Sequence, residues 1–490
     1  MTGSEKKTNY RWIICAMLFL ATTINYMDRQ VLSLTYPGEG GIQQEFGWTD
    51  ANYGTITAWF SIFYAIFMLF AGKFIDWMGT KKGYMWAIFV WSTGAILHAF
   101  CGIATSSIVT GSGLVGFETA LDALRSFKAS GAADAVLVIS TVSMYLFLGA
   151  RAILALGEAG NFPAAIKVTA EYFPKKDRAF STAIFNSGAS VGALVAPFTI
   201  PVLAKYFGWE MAFIVIGALG YIWMGFWLFL YKKPRENRKV NAAELAYIES
   251  DADEAAPAAD AKEEKSISFF KCFTFRQTWA FIVGKFMTDG VWWFFLFWTP
   301  AYLKSQFNIN PTDTEGMVLI FVLYLITMIS ILGGKLPTVF INKGMNAYAG
   351  RMKAMLIFAF FPLLGLLAQP LGNVFGTPWF PVILIGILGA AHQSWSANIF
   401  STVGDMFPKS TIATITGIGG MAGGMASFLI NKSAGALFTY AEGQGAAFRF
   451  MGFEGKPAGY MIIFCICSVA YLVGWCIMKV LVPKYKAVEA

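Results

Sequence analysis

Runs of about twenty predominantly apolar residues recur from one end of this chain to the other, and that pattern leaves it few ways to fold. Each run has the length a helix needs to cross the hydrocarbon core of a bilayer. About twelve are present, over approximately 11–36, 51–74, 83–107, 139–163, 179–202, 208–231, 277–302, 315–336, 352–371, 379–402, 411–437 and 458–482. Composition agrees, since 57% of the 490 residues are hydrophobic and 13% are charged, where a soluble protein carries roughly 25% charged residues. The expectation is an all-α integral membrane protein with twelve transmembrane helices. The first run is too long for a cleavable signal peptide and holds Asp28 and Arg29, so it reads as a span that stays.

The net charge of +8 raises the question of nucleic acid, but its distribution argues against that partner. Counting loops from a cytoplasmic N-terminus, one face collects Lys6, Lys7, Arg11, Lys81, Lys82, Lys175, Lys176, Arg178, Lys232, Lys233, Arg235, Arg238 and Lys239. The other offers little beyond Arg125, Lys128, Lys205, Lys304, Arg449 and Lys456. This is the bias that places basic loops inside, with both termini cytoplasmic and the chain in the inner (plasma) membrane. The six cysteines lie in or beside spans without zinc-type spacing and read as small apolar fillers, so neither metal nor cofactor is expected.

The spans divide six and six. Residues 1–231 form an N-terminal six-helix bundle, 232–276 a cytoplasmic linker rich in Ala, Asp and Glu near its middle, and 277–490 a second six-helix bundle. Two such bundles suggest a site between them near the bilayer midplane, as in many secondary transporters. Gly72, Asp76 and Gly79 after the second span are faintly echoed by Gly333, Gly334 and Lys335 after the eighth. An insertion at about 108–135 faces outward; its Phe117, Leu121, Leu124 and Phe127 make an amphipathic stripe that suits either a lid or a packing element.

Charges inside apolar spans carry the functional signal. Each costs about 2.5–3.5 kcal/mol near mid-bilayer, so Asp28, Arg29, Arg151 and Glu158 together cost on the order of 10 kcal/mol if they face lipid. Arg151 and Glu158 are seven apart, on one helix face but about 10.5 Å from each other along the axis. Each therefore needs a partner elsewhere, and the natural pairs are Asp28 with Arg151 and Arg29 with Glu158. Two ion pairs that merely fix packing are the plain alternative, but apolar replacements would often serve stability as well. In the functional reading Asp28 and Glu158 carry protons, while Arg29 and Arg151 grip an anion.

Lys285 and Asp289 are four apart and can neutralise each other within a helix. Trp292 and Trp293 lie too deep for an interfacial belt, and Trp293 is a candidate to stack on a ligand. Gln393, Ser396 and Asn398 belong to a polar run expected to point inward, where they would bond hydroxyls with Trp395 beside them. His392 reads better as a satisfied structural histidine than as a proton relay. Gly417, Gly419, Gly420, Gly423 and Gly424 read as packing or hinge. No phosphate-binding GxxxxGK[ST] run occurs, which argues against ATP-driven pumping.

Gly72, Asp76, Gly79, Lys81 and Lys82 together resemble the gating-loop motif of the major facilitator superfamily, with Trp77 and Thr80 departing from its usual basic residues. More specific are Asn25 through Arg29, Arg151 with Gly157 through Pro163, Asn186 through Gly188, Lys285 through Trp293, Ala391 through Asn398, and Asp405 with Pro408 and Lys409. These resemble the anion:cation symporter family and its hexuronate branch, with galactonate transporters as relatives. The resemblance implies two rocking bundles and proton-coupled uptake of a sugar acid. It implies that Asp28 and Glu158 handle protons, that Arg29 and Arg151 serve binding or coupling, that Tyr26 and Tyr64 line the cavity, and that Trp395 and Asn398 meet the sugar. Ala189 and Ser190 stand where aldonate transporters tend to carry an amide, which favours glucuronate or galacturonate. The expectation is a monomeric, non-enzymatic symporter of a small organic anion. An aldonate, sialic acid or a dicarboxylate, with sodium in place of protons, is the alternative; a transport-like sensor is a remote one.

Overall fold

In the computed structural model the described residues are 7–38, 40–131, 134–173, 175–250, 267–333, 336–407 and 411–488. Helices dominate them. The first half contains α1 (Tyr10–Thr35), α2 (Ile42–Phe46), α3 (Asp50–Met78), α4 (Thr80–Thr110), α5 (Phe117–Ala129), α6 (Ala135–Glu158), α7 (Asn161–Tyr172), α8 (Lys175–Phe207), α9 (Trp209–Leu230) and α10 (Ala242–Ile248). The second contains α11 (Phe269–Cys272), α12 (Arg276–Phe307), α13 (Thr314–Thr327), α14 (Ser330–Gly333), α15 (Leu336–Asn342), α16 (Ala347–Phe360), α17 (Gly365–Phe375), α18 (Trp379–Met406), α19 (Ile412–Gln444) and α20 (Lys456–Leu481). A two-stranded hairpin, β1 (Arg449–Phe450) and β2 (Phe453–Glu454), joins the last two.

Among the described residues, nine helices are long and apolar enough to cross a membrane, against the twelve spans expected. The shortfall has local causes. α1 has 26 residues, but Asn25, Asp28, Arg29 and Gln30 dilute its apolarity. α19 has 33 residues, diluted by glycines, Asn431 and Lys432. The eighth expected span, 315–336, is broken into α13 and the short α14, with α15 following. Gly334, Lys335 and the middle of the 232–276 linker lie outside the described residues.

Local signals set several helix ends. Thr49 and Asn52 form a reciprocal capping box at the start of α3, satisfying two backbone N–H groups there. Gly79, at φ 80°, makes the sharp corner between α3 and α4 that a side chain would strain. The insertion folds as the amphipathic α5, clamped to α2 by Arg125, whose Nη2 and Nε donate to the two Glu45 carboxylate oxygens at 2.5 and 3.2 Å. Lys128 Nζ donates to the Glu45 carbonyl at 2.7 Å, and partial burial lowers the pKa of its ammonium.

Helices of the first half pack mainly on one another, α4 on α6 and α9, and α1 on α8. In the second half α12 lies on α19 and α20, and α18 on α13, α16 and α17. Among the described residues the halves meet mainly along α3 with α19, α8 with α13, and α1 with α12. The first of these is closest. A Cβ added at Gly54 would meet the Asn431 carbonyl at 2.6 Å, and one at Gly435 the Asp50 carbonyl at 2.4 Å. Small residues let these backbones touch. The start of α3 meets both the end of α1, through Tyr36 and Asp50, and the start of α20, through Asp50 and Lys456. The beginning of α1 and the end of α20 therefore share the opposite face.

Candidate functional site

A buried ion pair lies where the two halves meet. Arg29 Nε donates to Glu158 Oε2 at 2.7 Å, with 3% and 0% of the side chains exposed. Gly157 sets the height of the carboxylate: a Cβ there would lie 2.2 Å from the Trp91 nitrogen, so α6 can press against α4 only at glycine. Aromatic rings enclose the guanidinium. Its carbon is 5.0 Å from the Tyr26 centroid, 4.5 Å from Tyr64 and 5.4 Å from Trp293. Tyr26 stands one turn before Arg29 on α1, Tyr64 comes from α3, and Trp293 comes from α12 in the other half. Trp293 packs on Tyr64 at 6.3 Å and on Phe60 at 6.2 Å, which fixes the side of the cage.

Arg151 sits two turns along α6 from Glu158, 2% exposed, with its guanidinium 5.1 Å from the Phe60 ring. The expected Asp28–Arg151 pair is not made: among the described residues the two have no contact within 4.0 Å, and neither Asp28 carboxylate oxygen has a hydrogen-bond partner. Consecutive residues on a helix point about 100° apart, so the turn of α1 that delivers Arg29 to Glu158 carries Asp28 aside. The cluster consequently holds unused donors at Arg151 Nε and Nη1 and Arg29 Nη2, and unused acceptors at Asp28 and at Glu158 Oε1. Buried polar atoms of this kind are costly unless something pairs with them. Two forked donors beside aromatic faces suit a carboxylate on a small polar ring, which accepts from guanidinium groups and stacks its apolar face on a ring.

On the other side of the seam, Lys285 Nζ lies 2.7 Å from Asp289 Oδ2. Gly423 of α19 leaves room for the acid, since a Cβ there would be 2.3 Å from Asp289 Oδ2. Gly419 abuts Phe281 and Gly424 abuts Ala65 in the same way, so three of the five glycines between 417 and 424 serve close packing. Trp292 stacks on His392 at 5.3 Å and 1°, and His392 Nδ1 is 2.8 Å from the Tyr471 hydroxyl. That histidine is satisfied.

The three α18 candidates stand apart from the cage. Trp395 is fully buried against Tyr471 of α20, 5.7 Å between centroids. Asn398 Nδ2 donates to the Ser394 carbonyl at 2.8 Å, and Gln393 is half-buried. In the α3–α4 corner Lys81 Nζ donates to the Leu228 carbonyl at 2.7 Å, Lys82 is exposed, and Gly72 has open space around it. The side chain of Asp76 lies outside the described residues.

Sequence reasoning passed over the opposite end of the α3 seam. There Lys456 Nζ lies 2.6 Å from Asp50 Oδ2 and 3.5 Å from Glu442 Oε2. Tyr36 donates to Asp50 Oδ1 at 2.9 Å, and the Tyr53 hydroxyl donates to the Phe297 carbonyl across the seam at 2.6 Å. Ser61 and Ser427 hydroxyls meet at 2.7 Å deeper down. Helix-terminal charges are ordinary in any loop, so nothing in the sequence marked them.

Known proteins place this geometry in context. The hexuronate transporter of Escherichia coli K12 is 26% identical over 486 residues, covering 99% of this chain and 97% of the relative. The D-galactonate transporter of E. coli O6:H1 is 25% identical over 453 residues, 91% and 92% of the two chains. The galacturonate transporter of Dickeya chrysanthemi is 25% identical over 335 residues, 67% and 82%. Among solved structures, an inward-facing bacterial homologue of the lysosomal transporter Spinster superposes with a TM-score of 0.65 at 18% identity, covering 98% of each chain. A D-xylose-proton symporter gives 0.65 at 14% identity, with 95% and 98% covered. These relatives and neighbours are transporters rather than enzymes, and the chain is a multi-pass membrane protein of the kind that in bacteria lies in the inner membrane. With residues 18–430 matching its family profile, the chain belongs to the Major Facilitator Superfamily.

Proposed function

We propose that the protein is a proton-coupled symporter that brings a hexuronate, glucuronate or galacturonate, into the cell by alternating access of two six-helix halves. The observation that carries this reading is the Arg29–Glu158 pair, buried at the junction of the halves inside a cage of Tyr26, Tyr64 and Trp293. The names of the relatives support the substrate class, since hexuronate, galacturonate and galactonate are all sugar acids.

The proposed cycle follows from exchange of partners. A proton taken up on Glu158 releases Arg29, whose fork, with that of Arg151, then binds the uronate carboxylate. Asp28 serves as the second proton carrier. Loaded, the charges balance and the halves rock; unloaded, a bare charge resists occlusion. With one proton per monovalent anion the cycle is electroneutral. With two, each turnover gains about 2.3 kcal/mol per 100 mV of inside-negative potential.

The direct test is uptake of labelled glucuronate into proteoliposomes under an inward proton gradient, with and without a membrane potential. Accumulation that collapses with an uncoupler establishes the reading, and the response to voltage gives the proton count. Accumulation that needs sodium instead overturns the choice of ion. A second substrate class is favoured by one observation: Arg29 and Arg151 both have unused donors, which suits a dicarboxylate such as those named for the galactarate/D-glucarate relatives. Competition between glucuronate and glucarate separates the two.

A further inference from the structure

A cavity of about 710 Å³ lies on the flank of the α3–α19 seam, bounded by α3, α6 and α19. It is distinct from the Arg29 cage, because none of Tyr26, Arg29, Tyr64, Arg151, Glu158 and Trp293 lines it. Four of its lining residues, Trp59, Tyr145, Gly149 and Lys432, are exposed on the surface that spanning helices present to lipid. It is therefore a groove opening sideways.

Its lining changes character along its length. Asn52 and Thr55 stand about 3 and 7.5 Å inside the start of α3, at the level of the lipid headgroup and glycerol region. Trp59 and Leu148 continue the groove toward the midplane with apolar surface. Lys432 sits at the polar end, and its ammonium is 2.5 Å from the Thr55 hydroxyl. Among the described residues it has no carboxylate within 4.0 Å, and its side chain is exposed at this level. A lysine held there without an acid calls for an anion from the bilayer side. Gly149 leaves the apolar part open, for a Cβ there would meet nothing within 4 Å.

We propose that this groove binds one anionic phospholipid, its phosphate on Lys432 and Thr55 and an acyl chain along Trp59, Leu148 and Gly149. Because the groove takes walls from both halves, the bound lipid bridges them on the side where Asp50 and Lys456 meet. The occupant is a lipid rather than a soluble anion because the polar end and the apolar part are continuous and both are open on the same outer surface.

The test uses the full-length protein, delipidated in detergent and re-supplied with phosphatidylglycerol or phosphatidylcholine, with retained lipid counted by native mass spectrometry. Wild type should hold one phosphatidylglycerol in preference to phosphatidylcholine. Lys432→Gln should weaken phosphatidylglycerol retention about fivefold, the factor expected for one lysine facing an anionic lipid. Gly149→Phe should suppress both lipids, with Ala152→Leu as the substitute should that variant melt early or elute as aggregate. Unchanged retention in the variants overturns the proposal. So does an effect of only one class of variant, because headgroup and chain must be held together. Displacement by millimolar inorganic phosphate also overturns it and makes Lys432 a soluble-anion site.

Discussion

Lys456 at the start of α20 and Asp50 at the start of α3 form an ion pair of 2.6 Å that ties the two halves of the molecule together, with Asp50 almost fully buried. Tyr36 bonds the second carboxylate oxygen of Asp50 and stacks on Tyr53 at 4.1 Å, so the pair belongs to a small network. On the flank away from the chain ends, this network closes the α3–α19 seam.

Removing Lys456 leaves Asp50 buried without its cation. Breaking a buried pair costs about 3–5 kcal/mol, and opening the seam to water relieves that cost. Lys456→Gln should therefore favour the form open on this face by about 2 kcal/mol, roughly thirtyfold in population. A cysteine at Ser427, now buried against Ser61, should label faster with a membrane-impermeant maleimide. The exchanged pair, Asp50→Lys with Lys456→Asp, should bring labelling back toward the parent rate. No change in rate with Lys456→Gln would remove the pair from any gating role.

The Arg29–Glu158 pair predicts a separation of two activities. Glu158→Gln keeps the shape and a hydrogen-bond acceptor but cannot take up a proton. Proton-driven accumulation should disappear while exchange of internal for external substrate persists. If gradient-driven uptake survives in Glu158→Gln proteoliposomes, the acid is not the coupling group.

Arg29→Lys should weaken substrate binding more than it harms the fold. Lysine keeps the charge but loses the planar fork that lies against Tyr64 and Trp293. Loss of one charge-assisted bond of about 1.5–3 kcal/mol predicts roughly a 10- to 150-fold weaker Kd. Calorimetric titration of glucuronate measures it, with the thermal melt as the control for folding.

Much of this site could be read in the sequence because charges inside apolar runs are conspicuous. Arg29 and Glu158 stand out, and helical spacing forces each to seek a partner on another span. Spacing could not fix which partner, and Asp28 next to Arg29 was therefore misassigned to Arg151. The polar run of α18 does not show in sequence which way each of its side chains turns. Trp395 turns to Tyr471, because a residue between two apolar helices looks the same in sequence as one lining a cavity. The break between α13 and α14 was hidden within an apolar run, whose hydropathy does not register a local interruption. Lys432, a cation inside the eleventh apolar run, was passed over, because its meaning depends on the groove that α3 and α6 build beside it.

Lys285 and Asp289 offer a last test, of structure against function. The pair spans one turn of α12, with 6% and 14% of the side chains exposed, and fits into the notch left by Gly423. If the pair only neutralises itself, Lys285→Met should destabilise by about 3–5 kcal/mol through the stranded acid. Adding Asp289→Leu should then recover much of the loss, as apolar replacement of a buried pair usually does. Thermal melts of the two single variants and the double variant close this cycle. Transport decides the rest: a double variant that is stable and still accumulates glucuronate confines the pair to packing. A stable double variant without uptake would place Asp289 beside Glu158 in the coupling path.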